Sequence, residues 1–298
     1  LGIFGRGYLT NYVEQDVPLD DLPTTGLTLG AYSACGLDAG RAYCSGSPVF
    51  GALGSGYDEV VSTPRRVGTD ADWSWIALSW QSLGIRNGEL YTWGNPVFYS
   101  GGNPPELNTY DSPQRYGAIS DWTEVDMGTG HYCGQRTDNS LTCWGNNSDG
   151  QVVGAAIAPF EFTAQGSVIQ DVTGFAAGGD STFYETSGQY YAVGYNGTGV
   201  LGIGTKVAVT TPTAVLGPTS WDSLSAKSLQ ACGIANGELY CWGNNSDGQL
   251  GTGDMSGTSS PTRVGSDADW DQVSVGSRSA CGLRAGALYC WGYNDYGQ

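Results

Sequence analysis

The stretch Cys232-Gly-Ile-Ala-Asn-Gly-Glu-Leu-Tyr-Cys-Trp-Gly243 decides the fold, because close copies of it recur through the chain. The clearest second copy is Cys281-Gly-Leu-Arg-Ala-Gly-Ala-Leu-Tyr-Cys-Trp-Gly292. Four earlier copies end at Gly46, Gly94, Gly145 and Gly194, so the period is 48 to 51 residues. Self-similarity at this period, with short extended segments and glycine-rich turns, is typical of a propeller or a solenoid.

Each repeat contains four short extended segments. In the last repeat they lie around Val264, around Val273–Val275, at Ala280–Leu283 and at Ala287–Trp291. Four strands per repeat suit a propeller blade better than a helical solenoid. No stretch shows helical periodicity, while β-branched and aromatic residues abound between the 48 glycines. We therefore predict an all-β chain, folded as a β-propeller of about six four-stranded blades.

The repeats fill the chain from end to end, which predicts a single domain over residues 1–298. The six repeats lie at about 1–52, 53–100, 101–151, 152–200, 201–249 and 250–298. Gly297-Gln298 and Leu1-Gly2 are the two halves of a motif that is intact at Gly248–Gly251. We expect ring closure in which the N-terminal strand pairs with the last blade. The alternative is that each copy hands this strand to a neighbour, which would build a filament.

The hairpin at the centre of the repeat has a predictable register. Its midpoint is Asn236-Gly237, and Asn-Gly is the strongest two-residue hairpin signal because both positions take positive φ. Counting outward pairs Cys232 with Cys241 at a Cα separation of about 4.5 Å, near the short end of disulfide geometry. The same count places Tyr240 opposite Gly233, and we expect the tyrosine ring to cover the bare glycine.

The eight cysteines are all used when every copy is counted in this way. Cys133 and Cys143 are one residue further apart than the others, which predicts a three-residue loop at Thr137-Asp138-Asn139. In the second and fourth copies both cysteine positions change together. The predicted disulfides are Cys35 with Cys44, Cys133 with Cys143, Cys232 with Cys241, and Cys281 with Cys290.

Zinc ligation and free buried thiols are the alternatives to disulfides. The chain has no Cys-x-x-Cys motif and only one histidine, His131, so zinc is the weaker interpretation. Disulfides at this density are typical of an oxidising compartment, which predicts a protein that is secreted or displayed at the cell surface. The chain has neither an initiator methionine nor a signal peptide, as expected of a mature or excised segment.

The charge of the chain excludes two classes of partner. The net charge is −17, and Lys206 and Lys227 are the only lysines, so phosphate backbones and anionic lipid heads would be repelled. No apolar stretch is long enough to span a bilayer. We therefore predict neither nucleic-acid binding nor membrane insertion.

The element Trp-Gly-x-Asn-x-x-Gly-Gln stands at Trp144–Gln151, Trp242–Gln249 and Trp291–Gln298. Together with Pro-x-x-Val, with Gly-x-x-His before the hairpin and with Leu-Gly after it, this pattern resembles the regulator-of-chromosome-condensation repeat over the whole chain. The resemblance implies a propeller, here in a secreted, disulfide-containing variant. Propellers of that family usually have seven blades, so a seven-bladed or strand-exchanged closure is the alternative. The family includes exchange factors, photoreceptors, ubiquitin-ligase modules, enzyme inhibitors and secreted proteins, so function does not follow from it.

The histidine of that family stands here once, as His131, which we interpret as a structural hydrogen-bonding residue. The matching positions in the other repeats are Ser33, Gln81, Ser181, Gln230 and Ser279. Most tryptophans fall at two repeated positions, which indicates core packing rather than a photoreceptor cluster. The first set is Trp73, Trp122, Trp221 and Trp270, and the second is Trp93, Trp144, Trp242 and Trp291.

No residue constellation predicts catalysis. A single histidine is poor support for a nucleophilic triad. The carboxylate pairs Asp70/Asp72 and Asp267/Asp269 are copies of one loop, so we interpret them as turn and capping residues. We predict a non-enzyme with no cofactor and no metal site.

The turns that follow the hairpins carry two further signals. Asn146–Gly150 and Asn244–Gly248 superficially suggest calcium loops, but they lack the terminal bidentate glutamate of an EF-hand. Asn146, Asn196 and Asn244 each begin an Asn-x-Ser/Thr sequon, and on exposed turns they are candidate glycosylation sites.

Two functional hypotheses remain from the sequence. The first is an extracellular, non-catalytic scaffold that binds a protein or glycan partner through loops that break the regular repeat, especially Asp16–Thr25 and Asn95–Pro105. A lectin shares this fold and belongs with it. The second is a structural subunit that assembles head-to-tail with copies of itself into an extracellular filament or surface layer.

Overall fold

The computed structural model describes residues 25–29, 33–46, 53–56, 60–78, 81–94, 110–153, 160–161 and 168–293. Within these ranges every regular element is a β-strand, and no helix is long and apolar enough to cross a membrane. The predicted loop at Asn95–Pro105, all of the loop at Asp16–Thr25 except Thr25, and both chain ends lie outside the described residues. Ring closure through the N-terminal strand therefore stays a prediction.

The described strands form six antiparallel sheets. The first sheet contains β1 (Thr25–Leu29), β2 (Ser33–Asp38), β3 (Arg41–Gly46) and β4 (Val61–Arg66). The second contains β5 (Trp73–Leu78), β6 (Gln81–Arg86), β7 (Glu89–Gly94) and β8 (Tyr110–Arg115). The third contains β9 (Trp122–Met127), β10 (His131–Arg136), β11 (Leu141–Asn146) and the short β12 (Phe160–Glu161).

The other three sheets repeat this plan. The fourth contains β13 (Val172–Ala177), β14 (Ser181–Thr186), β15 (Gln189–Gly194) and β16 (Val209–Ala214). The fifth contains β17 (Ser223–Lys227), β18 (Gln230–Ala235), β19 (Glu238–Gly243) and β20 (Thr258–Arg263). The sixth contains three described strands, β21 (Trp270–Val275), β22 (Ser279–Arg284) and β23 (Ala287–Gly292). Each sheet pairs its strands in chain order, as in the blades of a propeller.

The chain divides into two compact units, and the boundary passes through the third sheet. Unit 1 consists mainly of Leu1–Met127 together with Gly134–Thr137. Unit 2 consists mainly of Gly128–Cys133 and Asp138–Tyr296. In unit 2 the apolar cores lie between neighbouring sheets, because one cluster joins side chains of the fourth and fifth sheets and another joins those of the fifth and sixth.

The central hairpin has the register counted from its turn. Cys232 is opposite Cys241, Gly233 is opposite Tyr240, and Asn236 has a φ of 51°. The four predicted cysteine pairs all lie at disulfide distance, with Cα separations of 4.1 to 4.2 Å. The hairpins with Ala39-Gly40 and Ala285-Gly286 turns have the same register, although their alanines take positive φ without the local hydrogen bonding of an asparagine.

The longer hairpin of the third sheet departs slightly from the predicted loop. Its strands end at Arg136 and begin at Leu141, so four residues lie between them. Asn139 takes the positive φ, 59°, and the carboxylate of Asp138 accepts a hydrogen bond from the backbone N–H of Ser140 at 3.0 Å. The extra residue is thus absorbed in the turn, and Cys133 and Cys143 still meet.

The prediction that Tyr240 covers Gly233 is wrong. A Cβ built on Gly233 would lie 2.7 Å from Cε3 of Trp221, so the tryptophan at the start of the sheet occupies this space. Tyr240 instead packs edge-on against Trp221, with ring centroids 5.7 Å apart, and its hydroxyl donates to Glu238 Oε2 at 2.7 Å. The same contact joins three further tryptophan and glycine pairs, namely Trp73 with Gly84, Trp122 with Gly134, and Trp270 with Gly282.

In the fourth sheet the position of the first tryptophan and the position of the glycine beneath its ring change together. Val172 stands where the second, third, fifth and sixth sheets have the first tryptophan, and Tyr184 stands where these four sheets have the glycine. Tyr184 is buried in one cluster with Val172, and its ring stacks on that of Tyr191 at 5.7 Å. A large ring on one strand and a small residue on its neighbour therefore fill the same volume in either order.

The second tryptophan of the repeat packs against the preceding repeat. The indole Nε1 of Trp242 donates to the carbonyl of Val200 at 2.7 Å, and that of Trp291 donates to the carbonyl of Gln249 at 2.9 Å. A Cβ on Gly202 would lie 2.7 Å from Nε1 of Trp242. Gly202 belongs to the Leu-Gly end of the motif. The end of this motif therefore contacts the tryptophan of the next hairpin, between two neighbouring sheets.

We expect Gly233→Ala to destabilise the protein by roughly 1 to 3 kcal/mol, because the new methyl group would displace the ring of Trp221 from a close-packed site. The free energy of unfolding from urea titrations measures this cost.

The double variant Trp221→Val/Gly233→Tyr copies the arrangement of the fourth sheet and is the matched control. It should recover part of the stability that Trp221→Val alone loses, which is about 3 to 5 kcal/mol for a buried tryptophan reduced to a small residue. Strictly additive losses in the double variant would show that the two positions do not share one volume.

Candidate interaction face

The loops after the first strand and after the third strand of each sheet lie on one side of unit 2, because the strands are antiparallel. We call this side the junction face. Its described loops span 128–130, 147–153, 178–180, 195–208, 228–229, 244–257 and 276–278. Consecutive loops are hydrogen-bonded to each other, since Thr129 N donates to Gly179 O at 2.7 Å and Gly179 N donates to Ser228 O at 3.1 Å.

A buried asparagine organises each turn of the junction face. Asn147, Asn196 and Asn245 have no exposed surface. Each side-chain carbonyl accepts a hydrogen bond from the backbone N–H five residues later, at 2.9 to 3.0 Å. These bonds hold the chain in a compact loop, because a buried amide group must find partners within the protein.

Asn196 cannot carry a glycan in this fold, which corrects one candidate from the sequence. Its Nδ2 is buried and donates to the carbonyls of Thr205 and Val207, both at 3.0 Å. The sequon at Asn196 falls on the buried position of the turn, whereas those at Asn146 and Asn244 fall one residue earlier, where the side chain is half-buried. The latter two remain candidate glycosylation sites.

His131 lies at the start of β10 and is fully buried. Its Nε2 lies 2.8 Å from the hydroxyl of Thr182, and this hydroxyl donates to the carbonyl of Gln151 at 2.7 Å, so the histidine is the donor. Burial first, and the charge of Lys227 second, lower the pKa of His131 to about 3. The ring is therefore neutral at physiological pH, which agrees with a structural role.

Gln230 occupies the equivalent position two sheets later and bonds in the same way. Its Nε2 donates to the carbonyls of Gly276 and Ser279, at 3.0 and 2.9 Å, in the following sheet. A large polar residue at this position thus reaches across to a sheet whose matching residue is a serine, Ser181 after His131 and Ser279 after Gln230.

The side chains at the surface of the junction face differ between equivalent turns. Between the fifth and sixth sheets, Arg278 Nε donates to Asp247 Oδ2 at 2.9 Å and Arg278 Nη2 donates to Oδ1 at 2.5 Å. The bonded guanidinium lowers the pKa of Asp247. Between the fourth and fifth sheets the pair consists of Thr198 and Leu229, and both side chains are neutral. The hydroxyl of Thr198 donates to the carbonyl of Leu229 at 3.2 Å.

Between the third and fourth sheets both members of the pair are acids. Asp149 stands at the position of Asp247, and Asp180 stands at the position of Arg278. Partial burial first, and the charge of Asp149 second, raise the pKa of Asp180. Among the described residues neither carboxylate has a basic partner. Nothing in the sequence pattern alone singled out this pair, because its members are 31 residues apart.

The repeated carboxylate pairs lie on the opposite side of the sheets and hold arginines. Arg86 forms ion pairs with Asp70 and Asp72, in unit 1. Arg284 forms the same pairs with Asp267 and Asp269 in unit 2. Their identity as turn residues was predicted, but their partners were not. In the part of the chain that the structure describes, no group of three or more His, Cys, Asp or Glu side chains could hold a metal ion.

Comparison with known proteins agrees with this architecture. Sequence models of the regulator of chromosome condensation (RCC1) repeat match residues 236–283, and residues 122–151 and 270–298. The fold is similar to that of Prp20p from Saccharomyces cerevisiae, with a TM-score of 0.77 and 19% identity over 91% of this chain and 72% of that chain. It is similar to human WBSCR16, with a TM-score of 0.77 and 17% identity over 93% and 78% of the two chains.

A third similar structure is the ectodomain of the receptor kinase ACR4 from Arabidopsis thaliana. It matches with a TM-score of 0.51 and 18% identity, over 90% of this chain and 85% of that chain. These matches and the six sheets define an all-β repeat protein of the β-propeller class. Parts of the chain match the RCC1 repeat, and its fold is similar to the propeller of Prp20p, as the resemblance implied.

We expect His131→Gln to change how stability depends on pH. Between pH 6.5 and 3 the unfolded chain binds a proton at His131, whereas the folded chain excludes it. The free energy of unfolding of the wild type is therefore unaffected by this proton above pH 6.5, and it falls as the pH drops below 6.5. The difference in free energy of unfolding between wild type and variant should shift against the wild type by up to about 1.4 kcal/mol per pH unit in this window.

Urea titrations of both proteins from pH 7 to about pH 4 measure this shift, and the carboxylates common to both cancel in the difference. A difference that is constant with pH would mean that the folded protein accepts the proton at His131.

Proposed function

We propose that this protein is a non-catalytic interaction scaffold that binds a protein or glycan partner through its loops. One observation carries the proposal: the junction face keeps a constant buried framework while the half-buried and exposed side chains at its surface vary from one turn to the next. Asn147, Asn196 and Asn245 make the same backbone hydrogen bond in all three turns. The paired surface positions are acidic, neutral or salt-bridged. A rigid frame that presents different side chains is what selective binding requires.

The same face also presents apolar groups to solvent. Val207 is 69% exposed and Met255 is 67% exposed, and they lie in the corresponding loops of the fourth and fifth sheets. Apolar contact next to polar groups is typical of binding surfaces. The junction face therefore takes the role that the sequence assigned to Asp16–Thr25 and Asn95–Pro105, which lie almost entirely outside the described residues.

The similar proteins are consistent with partner binding. The yeast protein Prp20p is described together with its binding to Gsp1p and histones, and it has been crystallised with Kap60. The ACR4 structure is a receptor ectodomain. For this chain we propose an extracellular or cell-surface location, which the four cysteine pairs at disulfide distance support.

We expect Val207→Ser/Met255→Ser to weaken partner binding at least about tenfold, because both side chains would lose apolar contact with the partner. Extracellular proteins and an array of glycans can be screened with the immobilised wild type, and each hit then titrated against the variant.

The matched control is Val168→Ser. This residue is 44% exposed and lies in the loop that connects the third and fourth sheets, on the other side of unit 2. Hits that respond to the control and not to the junction-face variant would place binding elsewhere, and a screen with no hits would count against the scaffold.

The sixth sheet favours a second function. Leu288 on β23 is 71% exposed, whereas its equivalents Leu239 and Leu90 are completely buried. Among the described residues, β23 pairs only with β22, so its outer edge is open. An open strand edge is a template for another strand. We propose as the alternative that a neighbouring copy supplies this strand, which would make the protein a subunit of an extracellular filament or surface layer.

Sedimentation velocity over a wide range of concentration tests this alternative. A filament subunit should form larger species as the concentration rises, and Leu288→Lys should reduce them because a charge would have to be buried against the added strand. Leu216→Lys, which introduces the same charge at an exposed site, should have no effect. A wild type that stays monomeric throughout would exclude the subunit function and is expected if the chain completes its own last sheet.

A further inference from the structure

Three equivalent junctions of unit 2 share one backbone. The turn residue after the third strand donates its N–H to the carbonyl of the loop residue after the first strand. This bond joins Tyr195 to Asp180 at 2.8 Å, Asn244 to Leu229 at 2.8 Å, and Tyr293 to Arg278 at 2.9 Å. Asp180, Leu229 and Arg278 are therefore equivalent in space as well as in sequence.

The aspartates of the first and third turns are also held alike. The backbone N–H of Asp149 donates to Gln151 Oε1 at 2.9 Å, and that of Asp247 donates to Gln249 Oε1 at 2.8 Å. A neighbouring serine hydroxyl donates to Oδ2 in both turns, at 3.3 Å for Asp149 and at 3.2 Å for Asp247. Two carboxylates in the same local frame offer the same oxygens to a ligand.

The structure shows which ligand fits this frame. The guanidinium of Arg278 binds both oxygens of Asp247, and its Cζ lies 4.0 Å from the ring centroid of Tyr293. Bidentate pairing and stacking on an aromatic ring are the two contacts in which arginine exceeds lysine. At the first junction, between the third and fourth sheets, Tyr195 stands at the position of Tyr293, and Asp149 stands at the position of Asp247.

Only the arginine is missing from the first junction. Asp180 occupies its place and adds a second carboxylate that is partly buried near Asp149. Among the described residues the only hydrogen bond donated to the carboxylate of Asp149 comes from Ser148. The charge of Asp149 is close enough to raise the pKa of Asp180, and a positive group from outside the chain would relieve the repulsion between the two carboxylates.

We propose that Asp149 and Asp180 form a binding site for the guanidinium of an arginine presented by a protein partner. The guanidinium takes the position relative to Asp149 that Arg278 has relative to Asp247, and Asp180 provides a further acceptor. This proposal rests on the interaction scaffold and names the chemistry of its partner.

A peptide arginine fits the site better than a calcium ion does. Calcium takes six to eight oxygen ligands, whereas the side chains of this site offer two carboxylates and the hydroxyl of Ser148. The internal precedent at Asp247 is a guanidinium. The net charge of −17 adds a long-range attraction for a basic partner.

The pentapeptide acetyl-Gly-Gly-Arg-Gly-Gly-amide tests the site. NMR titration of the native protein at low ionic strength should give a dissociation constant in the millimolar range, as expected for a single side chain, with shifts at Asp149, Asp180 and Tyr195. The peptide with citrulline in place of arginine has the same shape without the charge, and it should bind at least about tenfold more weakly.

Asp180→Arg builds the missing partner into the chain and should abolish peptide binding, because the new side chain fills the site as Arg278 fills its own. Asp149→Asn should weaken binding at least about tenfold, and it provides the test if Asp180→Arg fails to fold. Asp271→Asn is the matched control, since it removes one negative charge from an exposed residue of β21 and should leave binding unchanged.

Four outcomes would overturn the proposal. They are no binding to the wild type, equal binding of the citrulline peptide, equal binding to Asp180→Arg, and a loss in Asp271→Asn as large as that in Asp149→Asn. Calcium chloride that shifts the same resonances when the arginine peptide does not would identify a metal site instead. A partner that depends on Val207 and Met255 but binds Asp180→Arg normally would leave the scaffold intact and refute the arginine site alone.

Discussion

The contact between a tryptophan ring and a bare glycine is the constraint on which each regular sheet depends. Trp221 lies where a side chain on Gly233 would stand, and Trp270 lies in the same way over Gly282. The ring covers the second strand where the glycine leaves room, because a close-packed interior admits no second group there. Its companion, such as Trp242, then hydrogen-bonds the preceding repeat. One pair of tryptophans thus covers the second strand of a sheet and attaches the sheet to the preceding repeat.

The cysteine pairs are secondary to this packing. The second and fourth sheets have Leu83 opposite Thr92 and Phe183 opposite Ala192, in the register that Cys232 and Cys241 have in the fifth sheet. The hairpin therefore forms with or without cysteines. A crosslink adds stability by restricting the unfolded chain. The register of the hairpin, however, is determined by the turn and by the apolar neighbours.

Function is separated from architecture within a single turn. The buried asparagine and the backbone bonds are the same at each junction of unit 2, while the pair at the surface is two aspartates, a threonine and a leucine, or an aspartate and an arginine. A substitution at the surface costs little because it leaves the hydrogen bonds of the turn in place. Repetition therefore supplies a stable frame, and the differences between repeats supply the side chains through which we propose that the protein binds its partner.

The sequence by itself determined the all-β class, the repeat, the hairpin register and the distance between paired cysteines. These follow from short-range rules, since an Asn-Gly turn and a period-two strand fix which residues stand opposite each other. It also indicated that His131 is structural and that the repeated acids belong to turns. The sequence failed to predict the packing where two aromatic residues could fill one space, as Tyr240 and Trp221 could at Gly233. Local pattern does not say which of the two rings occupies that space.

Only the tertiary structure decided which sequon is buried and which charges meet. Asn196 and Asn244 both begin sequons, yet Asn196 is fully buried inside its turn and Asn244 is only half-buried. Asp149 raises the pKa of Asp180, and Asp247 binds Arg278, only because neighbouring sheets bring together residues 31 positions apart. Such contacts depend on how sheets pack, and sheet packing is a property of many side chains at once that no local pattern contains.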